Sequence, residues 1–170
     1  MLILGRFTEE RKAVLDALRD ELRKRDYLPI LFDFEKPANR NTDETITLLA
    51  RMARFVITDI SDAKSVLQEL RALVPELPSV PVQPVIIASQ DEPGMFGFYR
   101  GFRSFLPVHR YDTPAQLLSD LSDRVIEPSE AKALKFRSTP PHAEPDPRQV
   151  ETRAGKQALV FAGRTRNGLR

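Results

Sequence analysis

The chain has no cysteine and no tryptophan, only two histidines and seven glycines, and no long apolar run. Without cysteine there is no disulfide, no thiolate nucleophile and no sulfur-ligated metal, and a reducing cytoplasmic setting fits that composition. His109 and His142 stand far apart in sequence, so neither a histidine metal site nor a Ser-His-Asp triad is expected. The few glycines are not clustered where phosphate cradles need them. Gly5-Arg6-Phe7-Thr8 carries one, so neither a dinucleotide fingerprint nor a P-loop follows the first apolar segment. No stretch approaches the roughly 18 to 20 apolar residues of a membrane span, and Met1-Leu2-Ile3-Leu4 is too short for a signal-peptide core. What remains for chemistry is carboxylates, hydroxyls and arginines.

The sequence pI of about 9.0 suggests nucleic acid until the charge is divided. Of 26 Lys+Arg and 24 Asp+Glu, residues 137–170 hold seven and three, which leaves 19 and 21 for the first 136 residues. The basicity belongs to the tail, so the core is not expected to bind nucleic acid. That tail is proline-containing over Ser138–Pro147, polar and basic beyond it apart from 158–162, and reads as a disordered extension. The expected division is a domain over 1–136 and a tail over 137–170.

Within 1–136, short apolar runs alternate with helical patterns. Leu2-Ile3-Leu4 reads as a strand ended by Gly5. Thr8 then caps a helix with Glu9 and Glu10 in its first turn, Arg23, Lys24 and Arg25 at its end, and Val14, Leu15, Leu18 and Leu22 on one stripe. Tyr27–Phe32 reads as a second strand, with Pro29 arguing for an edge position or for a strand unpaired at that point. Asn41 and Glu44 have the spacing of a capping box for a second helix. Phe55–Ile60 is the third strand, and Ser65 with Gln68 opens the next helix, expected to stop before Pro75. Val80–Ala88 is the fourth strand and Phe105–Val108 the fifth. Thr113-Pro114-Ala115-Gln116 starts a last helix through Leu117, Leu118, Leu121 and Val125. This alternation predicts an α/β fold: a five-stranded, mostly parallel sheet with helices on both faces, flavodoxin-like in order.

In such a sheet ligands bind beyond the carboxyl ends of the strands, which gives Glu69 its interest. It follows the third strand and a polar turn, early in the helix that Ser65 opens. A carboxylate there can meet a sugar or nucleotide; a helix start also favours a glutamate through its dipole alone. Asp59 either shapes the same cleft or caps the following turn. Ser61 and Ser65 can reach a ribose, and Ser65 has a second role as N-cap. Arg6 can meet a pyrophosphate beside the free N–H groups of the Thr8 helix, or it is a surface arginine. Lys36, Asn39 and Arg40 form an exposed charged loop. Phe96, Phe98, Tyr99 and Phe102 stack on a base, line a partner surface or, the preferred reading, pack locally; His109 and Tyr111 read as structural or exposed.

Thr58-Asp59-Ile60-Ser61-Asp62, with Ser65 and Gln68-Glu69-Leu70 after it, resembles a Toll/interleukin-1 receptor (TIR) domain of the divergent bacterial type. The resemblance covers roughly residues 1–130 and implies a TIR-like sheet. In enzymatic members a glutamate early in the third helix cleaves NAD, and Glu69 falls there. The resemblance therefore implies Glu69 as catalytic residue, while Arg6, Asp59, Ser61 and Ser65 are expected around the substrate from their positions at the strand ends, and no metal is expected. It also implies no cofactor beyond NAD as substrate. The loop of Lys36, Asn39 and Arg40 would mediate self-association or contact with another TIR-like domain. A non-catalytic signalling module and a nucleoside deoxyribosyltransferase-like enzyme, in which Glu69 would attack the anomeric carbon, are the alternatives.

Overall fold

The computed structural model describes residues 1–33, 40–61, 70–71, 73–94 and 96–138, without the side chains of Asp33 and of residues 40–43. The chain divides after Phe136 into Met1–Phe136 and Arg137–Arg170, and of the second unit only Arg137 and Ser138 are described. The tail expected to be disordered lies, from residue 139 on, outside the described residues.

Five strands, β1 (Leu2–Gly5), β2 (Ile30–Asp33), β3 (Val56–Asp59), β4 (Val82–Ile87) and β5 (His109–Tyr111), form one sheet in the order β2-β1-β3-β4-β5. Every pairing is parallel, with Leu2 opposite both Ile30 and Val56, Val56 opposite Val82, and Val85 opposite His109. The alternating pattern thus produces the expected α/β fold, in the flavodoxin order. β1 and β3 are buried along their whole length, as strands covered on both faces must be.

One face carries α1 (Glu9–Arg23), which buries Val14, Leu15, Leu18 and Leu22 against Ile3, Ile57 and Val85. Thr8 caps it through a 3.3 Å bond that its Oγ1 accepts from the Arg11 N–H. The other face carries α2 (Arg40–Met52), the helical residues Leu70 and Leu73, and α3 (Phe96–Tyr99), packed on Leu2, Leu4, Val56 and Ile86. Helix α2 begins one residue before Asn41. After Leu73 a 3₁₀ turn, Val74–Glu76, takes up Pro75.

Strand boundaries moved where prolines intervene. β2 starts at Ile30, after Pro29, and lies at the sheet edge as expected. The fifth strand is His109–Tyr111, not Phe105–Val108. Val82 bridges Phe105 in isolation and pairing resumes at Val85 with His109, one extra residue having been taken up on the β5 side. Pro84 and Pro107 sit in that break without N–H groups. The buried Gln83 side chain fills it, its Nε2 donating to Pro84 O at 3.0 Å and Pro107 O at 2.8 Å. Gln83→Leu removes the donor from the buried Pro84 carbonyl and from the part-buried Pro107 carbonyl and is expected to cost about 1–3 kcal/mol, read as a lower urea midpoint at unchanged m-value.

The last helix runs on further than expected. After α4 (Pro114–Asp120), capped by Thr113, the chain widens into a π segment, Leu121–Ile126, and continues as α5 (Glu127–Ser138). Pro128 explains the widening. It has no N–H for the Arg124 carbonyl and its ring crowds that carbonyl, so the turn before it relaxes and the Glu127 N–H reaches back to Ser122 O. Glu130 then takes Arg54 (Nε at 2.8 Å, Nη2 at 2.6 Å) and the Tyr27 hydroxyl at 3.3 Å. The Arg103 guanidinium lies 5.0 Å from the Phe136 ring centroid. Tyr27, Arg54 and Arg103 precede β2, β3 and β5, so α5 runs under the amino ends of the strands. The carboxyl ends stay clear of it.

Candidate functional site

The order of the sheet reverses between β1 and β3, where α1 leaves for one face and the chain after β3 for the other. A crevice opens at such a point. Gly5 ends β1 there in a tight place: a Cβ would stand 2.9 Å from Leu15 Cδ1, which would have to shift, and 3.4 Å from Asp59 Cβ. The small residue lets α1 close on the sheet and brings Asp59, at the end of β3, under its first turn.

Asp59 is 2% exposed and both its oxygens are engaged. Oδ2 accepts from Arg11 Nε at 2.9 Å and from Nη2 of the same guanidinium; Oδ1 accepts the Ser61 N–H at 3.0 Å. Asp59 therefore caps the turn that follows it, one of the two roles open to it from sequence. Arg11 Nη2 also donates to the Tyr111 hydroxyl, which shares a hydrogen bond with Ser61. Ser61 Oγ accepts the Ile87 N–H at 3.0 Å. The result is a closed ring, Arg11–Asp59–Ser61–Tyr111, that ties α1 to the carboxyl ends of β3, β4 and β5.

Burial works against the Arg11 charge, but Asp59 and Tyr111 outweigh it and hold its pKa above the ordinary value. Burial first, then the Asp59 charge, pushes the Tyr111 hydroxyl up. Burial does the same for Tyr27 and Tyr99, and these are all three tyrosines of a chain without tryptophan. A raised folded-state pKa means neutral tyrosines stabilise the fold below the ordinary value of 10.0, and that contribution is lost as pH rises through the folded values. Tyrosinate absorbance is expected to appear late and together with alkaline unfolding. A titration at the ordinary value in protein that stays folded would contradict this.

The residues singled out in the sequence divide as follows. Arg6, Asp59 and Ser61 come together at this edge. Arg6 directly follows β1, half-buried and with contacts of its own. Ser65, Glu69, Lys36 and Asn39 lie outside the described residues, and Arg40 supplies only the backbone start of α2. Arg11 and Tyr111 were missed as members of the site. The signal for Arg11 was available: it falls four residues before Leu15 and seven before Leu18, a charge on the apolar stripe. For Tyr111 there was none, since its burial follows from the displaced fifth strand.

Elsewhere, Phe96 and Tyr99 are buried in the core, Tyr99 stacks on Phe105 at 5.4 Å and Phe102 packs against them, as preferred from sequence, whereas Phe98 is 50% exposed. Beside it a groove of ≈ 400 Å³ is lined by Glu92, Phe96, Arg100 and Phe105 to Val108. His109 is nearly buried, with Nε2 3.7 Å from Asp120 Oδ2, and burial lowers its pKa. Among the described residues no three potential metal ligands cluster, and no helix is long and apolar enough to cross a membrane. No family model and no curated protein matches this sequence.

Proposed function

We propose that this chain is a TIR-like domain that cleaves the nicotinamide–ribose bond of NAD, with Glu69 as its catalytic carboxylate, and that self-association activates it. The observation that carries the reading is the order reversal between β1 and β3, with a rigid polar ring at its floor and the carboxyl edge uncovered by α5. Nucleotides bind sheets of this order at that point. The ring also narrows the choice of carboxylate. Asp59 is neutralised by Arg11 and capped onto Ser61, so it serves as scaffold, and the next acidic residues along the chain are Asp62 and Glu69. Glu69 is bonded directly to Leu70, a fully buried helical residue of the core.

The chemistry asks little of the protein. As the bond from the anomeric carbon to the nicotinamide nitrogen breaks, its electron pair leaves with a neutral nicotinamide, so no strong general acid is needed. Positive charge grows on the ribose, and a carboxylate beside it stabilises that charge and orients the incoming water. Water adds to the anomeric carbon and its proton passes to solvent. A histidine-poor chain can do this with one glutamate.

The test is nicotinamide release from NAD by concentrated protein, followed by chromatography. Release establishes the activity. Base exchange between free deoxynucleosides instead would establish the deoxyribosyltransferase chemistry. Silence from protein shown to be self-associated would leave the non-catalytic module.

A further inference from the structure

Six large hydrophobic side chains are exposed among the described residues, and four of them, Leu28, Ile30, Leu48 and Met52, belong to β2, the residues just before it, or α2. Leu48 and Met52 are 59% and 76% exposed and stand one turn apart on α2. Glu44 lies one turn before Leu48 on the same face, and Arg51 almost one turn after it. Leu48 and Arg51, with Glu44, Thr47 and Glu76, line a shallow groove of ≈ 460 Å³. Arg51 pairs with Glu76 across its rim, both more than half exposed, whereas Glu44 makes no ion pair among the described residues.

We propose that this face of α2 is a two-fold interface between copies of the chain, with α2 packing antiparallel on its counterpart about Leu48. A two-fold axis makes a patch meet itself, so the patch must be complementary to its own rotated image. This one is. With Leu48 on the axis, Leu48 meets itself, Glu44 comes opposite Arg51 and Met52 of the partner subunit, and Arg51 opposite Glu44 of the partner subunit. Both oppositely charged pairs close at once around an apolar centre. A partner of unrelated sequence would not require acid and base to be placed symmetrically about the exposed leucine. The inference rests on the part of the proposed function that has the domain self-associate, and on none of its chemistry.

The test is sedimentation velocity without NAD on wild type, Glu44→Arg, Arg51→Glu and their mixture. Wild type associates. Each single reversal sets like charges opposite each other twice and weakens association at least about tenfold. The equimolar mixture restores it, because in the mixed dimer both contacts again join an arginine to a glutamate. All positions are exposed, so the variants keep the wild-type circular dichroism; Leu48→Asp, which charges the centre, also dissociates. A wild-type protein monomeric at every concentration overturns the proposal, as does association untouched by Glu44→Arg or unrestored in the mixture. None of these results depends on whether NAD is cleaved.

Discussion

Asp59→Ala is expected to destabilise the fold by about 3–5 kcal/mol, the range found when one partner of a buried ion pair is removed. The cause is the charge left behind. Arg11 is 9% exposed, and without Asp59 its guanidinium keeps only the Tyr111 hydroxyl as a hydrogen-bond partner among the described residues. The Ser61 N–H loses its acceptor as well. The same reasoning predicts that Arg11→Met combined with Asp59→Leu recovers much of the loss, since no buried charge then remains uncompensated. A double-mutant cycle by urea unfolding checks both statements. A loss below about 1 kcal/mol for Asp59→Ala would mean that the pair is hydrated and does not hold α1 to the sheet.

Glu69→Ala is expected to reduce nicotinamide release by about 10²–10³-fold, comparable to removing one preorganised charge-stabilising group from an active site. Glu69→Gln should fall nearly as far, because the amide keeps the size and loses the negative charge that opposes the oxocarbenium. The two variants should unfold at the same urea concentration as wild type within error. Release from Glu69→Ala equal to wild type would move the chemistry to another residue.

The fold was legible because its signals are local. Thr8 and Thr113 cap the helices they were expected to cap, the stripe of Val14, Leu15, Leu18 and Leu22 is the buried face of α1, and Pro29 beside β2 marked an edge. What was not legible depends on partners remote in sequence. Phe105–Val108 is apolar enough for a strand, but Pro84 and Pro107 deprive the ladder of donors where the two segments meet, and pairing slips to His109–Tyr111. The π segment comes from Pro128, which lies beyond the residues that suggested the helix. In the site, Asp59 and Ser61 were visible at the end of a buried strand. Their partner Arg11 lies 48 positions from Asp59, and Tyr111 lies 100 positions from Arg11, so only the folded sheet brings the ring together.

The most direct test of the proposed NAD site uses the Glu69→Ala protein, which is expected to consume NAD at least about a hundredfold more slowly than wild type. Its amide hydrogen exchange is measured with and without NAD. Slower exchange confined to the carboxyl edge, in peptides spanning Leu4–Lys12 and Asp59–Leu73, is the predicted result. Protection centred on Phe96–Val108, or none at saturating NAD, would contradict it.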